Sequence, residues 1–296
     1  MKSTNEYYCD YECIKLENDS LALWVTQDVG PRIIGLQLTG GDNLLAVIPD
    51  MTATTPANKV FWFRGGHRLW HAPEDPERTY TPDDTAVTIT PIPNGIQTTQ
   101  AVEASTGIAK QMAITLPDNE AHVIIDHTLT NHGLWPIELA PWAITQLKPG
   151  GFAILPQATD DTGLLPNRRL SFWPYANITS PHLQLGDRFL FIQAAMTDEK
   201  FKVGWANPHG WLAYWIDDTL FVKQSDYQTE ADYYDFGSSH ECYCDHRILE
   251  LETLGPRTTL APGESATHRE VWRIYPHVTL TAEETAVAGA ISRLKI

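Results

Sequence analysis

Cysteine is scarce: four in 296 residues, Cys9, Cys13, Cys242 and Cys244, too few to staple a chain of this length. Cys-x-Cys inside a strand-like run is not a usual zinc spacing, so the cysteines read as reduced and structural. A zinc site drawn from both chain ends, with His240 or His246, is the alternative. Basic residues are the minority. With 21 Lys plus Arg against 37 Asp plus Glu, the formal net charge is −16, and no basic run offsets it locally. Such a field repels phosphate before contact forms, which argues against nucleic acid and anionic membrane surfaces as partners. Long apolar runs are missing too: no stretch of about 18 apolar residues occurs, and Met1 to Tyr11 is polar and acidic. A soluble, cytoplasmic protein is expected. Twenty Pro and 19 Gly interrupt the chain too often for long helices, which excludes coiled coils and helical bundles.

What is present is alternation. Glu12-Cys13-Ile14-Lys15-Leu16-Glu17, Leu21-Ala22-Leu23-Trp24-Val25-Thr26 and Val87-Thr88-Ile89-Thr90 have the period of two that marks half-buried strands. Further runs lie at 110–116, 122–130, 136–146, 201–205, 212–223, 240–244, 247–254 and 268–275. Turn signals separate them, among them Gly40-Gly41-Asp42-Asn43, Pro93-Asn94-Gly95, Pro117-Asp118-Asn119, Asn131-His132-Gly133 and Asp217-Asp218. Many short strands with little helical periodicity predict an all-β protein of antiparallel sheets packed face to face. One domain is expected over 1–275, followed by a tail over 276–296. In that tail Thr281-Ala-Glu-Glu284 reads as a capping box opening a short helix with Val287, Ile291 and Leu294 on one face. Two stretches, about 49–60 and 156–188, read as long irregular loops of the kind that build sites or lids.

Chemistry concentrates in two clusters. Phe61-Trp62-Phe63-Arg64-Gly65-Gly66-His67-Arg68-Leu69-Trp70-His71 combines fixed donors with a flat indole, a mixture that suits a sugar. A tight turn whose arginines pair with acidic groups fits the same residues. In the second cluster, around Leu249-Glu250-Leu251-Glu252, strand geometry puts both glutamates on one face and the leucines on the other. A carboxyl in a partly dry cleft is a candidate general base; a solvated strand face is the plain alternative. Asn167, Arg168, Trp173 and Lys223 are candidates for a cleft rim, and Arg168 equally for pairing within its own loop. Phosphate-cradling Gly-rich loops, Gly-x-Ser-x-Gly elbows and His-Glu-x-x-His helices are absent.

Val29-Gly-Pro-Arg-Ile33, Gly40-Gly-Asp-Asn-Leu44, Arg64-Gly-Gly-His-Arg-Leu-Trp70, Leu139-Ala-Pro-Trp-Ala-Ile-Thr145 and Leu249-Glu-Leu-Glu-Thr-Leu-Gly-Pro256 together resemble an uncharacterised family of the galactose-mutarotase-like superfamily, over about 12–275. The resemblance implies a β-supersandwich with a carbohydrate cleft on one sheet. It makes Arg64-Gly65-Gly66 similar to the sugar-contacting Arg-Gly-Gly of hexose-6-phosphate mutarotases and puts Glu252 where those enzymes carry their catalytic glutamate. Where mutarotases have an acid histidine this chain has Trp142, and the His-Gly-Phe-Ala-Arg motif of the phosphosugar enzymes is absent. The expected chemistry is an aldose 1-epimerase-like ring opening with Glu252 as base and His67, backed by His71, as acid. Arg64, Arg68, Glu241 and Lys223 would contact the sugar, and Trp70 and Trp142 would stack on it. No metal or organic cofactor is required, and the partner is a small carbohydrate. A non-catalytic sugar-binding protein, or a lyase or hydrolase of oligosaccharides, are the alternatives.

Overall fold

The computed structural model describes residues 1–118 and 120–296; Asn119, third residue of the turn read at 117–119, lies outside them. Two antiparallel sheets, one of eleven strands and one of ten, form the body of the fold. The middle of the larger sheet runs, strand beside strand, Arg32–Leu38, His67–Ala72, Ile137–Leu147, Leu249–Leu254, His240–Cys244 and Phe201–Trp205. The smaller sheet includes Ile108–Thr115, His122–Asn131, Ser265–Tyr275, Thr219–Ser225 and Trp211–Ile216. The run expected at 212–223 is a hairpin turning at Asp217-Asp218, both at positive φ.

Alternation decides which side chains meet between the sheets. Leu249, Leu251, Cys242, Cys244, Phe201 and Val203 of one sheet pack against Met112, Ile114, Val123, Ile125, Phe221 and Trp272 of the other. All four cysteines are free thiols, and only Cys9 is exposed. The outer face of the smaller sheet is covered by Val278, Leu280, Val287 and Ala290 of the tail. Its helix, Glu284–Leu294, starts without the expected capping box: Glu283 occupies the cap with no side-chain bond. Glu284 instead accepts from the backbone N–H groups of Arg188 (2.6 Å) and Phe189 (3.0 Å), tying the tail to the 156–188 segment. The stretch expected to be irregular at 49–60 is largely a hairpin, Val47–Thr54 with Val60–Gly65, lying over the larger sheet.

One part of the intersheet space is polar. The Lys223 ammonium, fully buried, donates to the carbonyls of Ala143 (3.0 Å) and Leu251 (2.9 Å) and to Thr145 Oγ1 (3.1 Å), and it forms an ion pair with Glu270 (2.8 Å). The neighbouring histidines complete the chain. His127 Nδ1 faces the His268 carbonyl at 2.9 Å and so carries the proton, which leaves its Nε2 to accept from His67 Nε2–H at 2.8 Å. His67 Nδ1 then accepts from Thr145 Oγ1 at 3.0 Å. A second arm runs from His268 to Thr253 and on to Glu270. Burial holds His67, His127, His240 and His268 below the ordinary histidine value. Glu270 is held well below the carboxylate range by Lys223 and the histidines, although burial alone acts the other way.

Both shifts weaken the fold in acid. Histidines whose folded values lie below 6.5 take up protons on unfolding as the pH falls through that value, and Glu270 does so below about 4.5. Thermal stability is therefore expected to decline steadily from about pH 6.5 downward. Glu270→Gln, which strands the Lys223 charge, is expected to cost about 3–5 kcal/mol by denaturant unfolding at pH 7. A pH-independent midpoint, or a cost near zero, would show that the cluster holds nothing together.

Candidate active site

Opposite the intersheet core, the outer face of the larger sheet carries a hollow of about 440 Å³, the size range of small-molecule sites. Three rows of side chains form its floor. Arg68, Ile144, Glu252 and Glu241 stand opposite one another across four strands. Gln146, Glu250, Tyr243 and Lys202 form the next row, and Trp70, Trp142 and Leu254 the one on the other side. Met51, Thr52, Ala53 and Phe63 of the covering hairpin, Glu74 and Tyr80, and Tyr175 of the 156–188 segment make the walls.

Of the glutamates on the sheet floor, Glu250 is the one that reaches this hollow. Its Oε1 accepts from Gln146 Nε2 (2.7 Å) and Arg68 Nη2 (3.3 Å), and its Oε2 has no hydrogen bond among the described residues. Burial pushes its pKa up to about 7; Arg68 acts against that rise and neighbouring Glu252 adds to it. Glu252 lines the same face but is fully buried, its Oε2 accepting from Trp142 Nε1 (2.8 Å) and Lys202 Nζ (2.9 Å). Lys202 also reaches Glu241 at 2.8 Å. Burial and the facing Glu252 push the Glu241 carboxyl well above its usual range, although Lys202 pulls it down.

Cations occupy the indole faces. The Arg68 guanidinium lies 4.1 Å from the Trp70 ring centroid, and the Lys202 ammonium sits between Trp142 (4.7 Å) and Trp173 (4.6 Å). The flat surfaces expected to stack on a sugar are thus covered, while Tyr175, 46% exposed, and Tyr243 border the open space.

Of the residues singled out in the sequence, Arg68, Trp70 and Trp142 line the hollow, and Glu252 and Glu241 lie just beneath it. The others sit elsewhere. His67 and Lys223 belong to the intersheet cluster, because position 67 points to the face opposite Arg68. His71, also on that face, lies 3.7 Å from buried Glu103. Arg64 bonds Asp83 at 3.1 Å and Asp84, so it follows the tight-turn reading. Gly65 and Gly66 have positive φ, and a Cβ there would lie 2.0 Å from the Ala46 carbonyl oxygen and 2.1 Å from that of Ile33. Backbone, rather than a ligand, is what these glycines approach. Asn167 and Arg168 bond within their own segment, to the carbonyls of Asp160 and Asp187.

Lys202, Gln146 and Tyr80 had no distinguishing pattern in the sequence, whereas Phe63 belongs to the 61–71 cluster and Tyr175 to the 156–188 stretch. Lys202 alone left a trace, as a charge inside the otherwise apolar strand Phe201–Trp205. Among the described residues, His67, His127 and Glu270 are grouped closely enough to hold a metal ion. Their facing nitrogens are already joined in the hydrogen bond above, and structural zinc takes four protein ligands. Also among the described residues, no helix is long and apolar enough to cross a membrane.

No protein-family model matches the chain, and no curated protein matches its sequence. Solved structures do. A protein of Escherichia coli K12, provisionally assigned as an aldose 1-epimerase, aligns with 88% of this chain and 98% of its own at 13% identity and TM-score 0.56. One of Klebsiella pneumoniae, with the same provisional assignment, aligns over 97% and 83% at 11% identity and TM-score 0.63. A galactose mutarotase-like protein of Lactobacillus casei aligns over 89% and 100% at 13% identity and TM-score 0.58. At such identities the likeness is one of fold. The two sheets, their antiparallel order and these matches establish that the chain has the galactose mutarotase-like β-supersandwich fold.

Proposed function

We propose that the hollow binds a small carbohydrate and that Glu250 moves the proton as the sugar ring opens and recloses, an aldose 1-epimerase-like reaction. The observation that carries this reading is the unbonded Oε2 of Glu250, at a pKa of about 7, in an aromatic-walled space large enough for a monosaccharide and a few waters. In its ionised form the carboxyl takes the proton of the anomeric hydroxyl. As the bond between C1 and the ring oxygen breaks, the ring oxygen takes up a proton, which Glu250 returns through an intervening water. Rotation about C1–C2 and the reverse steps give the other anomer. Arg68 and Gln146 orient the carboxyl, and Tyr175, Lys200 and Glu74 at the rim offer groups to the sugar hydroxyls. Glu252, enclosed under the floor by Trp142 and Lys202, and His67, on the opposite face of the sheet, take no part in it.

One observation favours a second reading, sugar binding without turnover. Trp142 occupies the place where the family resemblance puts an acid histidine, and its N–H is spent on Glu252.

Anomer exchange followed by NMR over a panel of aldoses separates the two. Glu250→Gln is expected to slow exchange by about 10²–10⁴-fold while calorimetric affinity changes within about tenfold, the scale of one hydrogen bond. Affinity in the wild type with exchange at the water background supports the binding reading, and a panel with no binding removes both.

The exchange rate at low substrate is expected to rise with pH and level off above about 7, because the ionised carboxyl is the active form. Arg68→Leu removes the charge that favours ionisation, so the midpoint of that profile moves up. An unchanged midpoint in Arg68→Leu would disconnect Glu250 from the profile.

A further inference from the structure

The larger sheet ends in an edge strand that no other strand of the described residues covers. Lys2–Tyr8 is antiparallel to Tyr11–Glu17, and from Lys2 to Tyr7 every residue is exposed. Seven residues without proline or bulge form an open template for another strand, an arrangement that soluble proteins ordinarily blunt.

The backbone shows which groups are free. Tyr8 and Tyr11 flank a two-residue turn, Cys9-Asp10, with positive φ at both positions, the type I′ geometry that closes on a hydrogen-bonded pair. Pairs then alternate along the ladder, so Tyr7 and Glu12 are a non-hydrogen-bonded pair. The Glu12 carbonyl accordingly turns the other way and accepts from the Gln27 N–H at 2.8 Å. Ser3, Asn5 and Tyr7 therefore direct their N–H and C=O groups out of the sheet edge.

Charge then selects a partner. Lys2 lies across the ladder from Glu17, which pairs with Lys15 at 2.7 Å, and Glu6 lies across from uncharged Cys13. Two such strands placed antiparallel about a two-fold axis at Thr4 put Lys2 of each opposite Glu6 of the other, twice over. Ser3 then faces Asn5 in hydrogen-bonded pairs built from the free backbone groups. The fully overlapped register centred on Asn5 would instead set Lys2 against Tyr8 and Glu6 against Thr4, and it makes neither ion pair.

We propose that this edge pairs with the same edge of a second copy of the chain, two-fold symmetric about Thr4, continuing the larger sheet across the dimer. The pairing is isologous, as a two-fold contact must be. Its side-chain faces are polar and open, so the association is weak and concentration-dependent, well short of an obligate dimer.

The register makes the test specific. At a non-hydrogen-bonded pair the Cα atoms stand about 4.5 Å apart, within disulfide range. In a Cys9→Asn background, which removes the exposed native thiol, Thr4→Cys is expected to form an intermolecular disulfide under mild oxidation. Asn5→Cys, facing Ser3 of the other copy, is expected to form little. Sedimentation of the uncrosslinked chain should show dimer rising with concentration. Lys2→Glu should lower it, and Lys2→Glu combined with Glu6→Lys should restore it. A chain that stays monomeric throughout, equal crosslinking at positions 4 and 5, or no response to Lys2→Glu would each overturn the proposal. The strand lies outside the sheet core, so these variants test pairing without testing whether the protein folds.

Discussion

Everything at the site depends on the two-residue period of five neighbouring strands. Each sends one set of side chains into the space between the sheets and the other set to the covered outer face. The same stroke of His67–Ala72 that gives Arg68 and Trp70 to the hollow gives His67 to the intersheet cluster. On Leu249–Leu254, Leu249 and Leu251 seal the core while Glu250 and Glu252 stand under the outer hollow. A one-residue slip in any of these strands would exchange the two populations, burying charge in the core and opening leucine to water. The cluster around Lys223 guards against such a slip: one ammonium holds carbonyls of two adjacent strands of the larger sheet while anchored to Glu270 of the smaller.

Charges on the outer face are organised by the same rows. Directly opposed carboxylates such as Glu241 and Glu252 repel unless a cation or a proton intervenes. Lys202 supplies the cation, and its own burial is offset by both carboxylates and two indole faces. Glu252 is enclosed and held on Oε2 by Lys202 and the Trp142 N–H, whereas Glu250 has a weaker contact to Arg68 at 3.3 Å and an amide on Oε1, which leaves its other oxygen unbonded beside the hollow. Two glutamates two residues apart thus reach different states because one is enclosed and the other borders open space. Divergent environments for neighbouring carboxyls are how a fold assigns distinct proton roles to identical side chains.

The fold was legible because alternation is a local signal. The strands read at 201–205 and 240–244 match the structure residue for residue, and the leucine and glutamate faces of 249–252 follow from period two alone. The hairpin over 47–65 escaped because Pro49 and a break in register between Ile48 and Thr52 interrupt its first strand, and Thr52, Ala53 and Thr54 carry little apolar contrast. The capping box at Thr281 failed for a tertiary reason, since Glu284 is drawn away to the backbone of Arg188 and Phe189. The site was legible only in part. Composition around Arg64–His71 marks a dense polar cluster, but only the face on which each residue lands separates Arg68 from His67. Lys202 and Gln146 come from strands whose local sequence carries no mark of the hollow, and the 156–188 stretch was marked only as a whole, without singling out Tyr175.

Glu252 and Glu250 differ by the part that sequence patterns do not encode. Resemblance points to Glu252, whereas the geometry leaves Glu250 with the open oxygen. Both donors to Glu252 hold its Oε2, and Oε1, although it has no partner among the described residues, is fully buried, so a sugar reaches this carboxyl only if the floor formed by Trp142 and Lys202 opens. Abandoning a buried hydrogen-bonded charge pair costs about 3–5 kcal/mol, comparable to what a small sugar recovers from a few hydrogen bonds. Glu250 requires no such rearrangement. With Trp142 in place of a histidine, the indole N–H can only donate, so the position has become one that fixes a carboxylate rather than one that passes protons. On the proposed reading the carboxyl that acts lies one full period along the strand from Glu252, at the neighbouring residue that faces the same way.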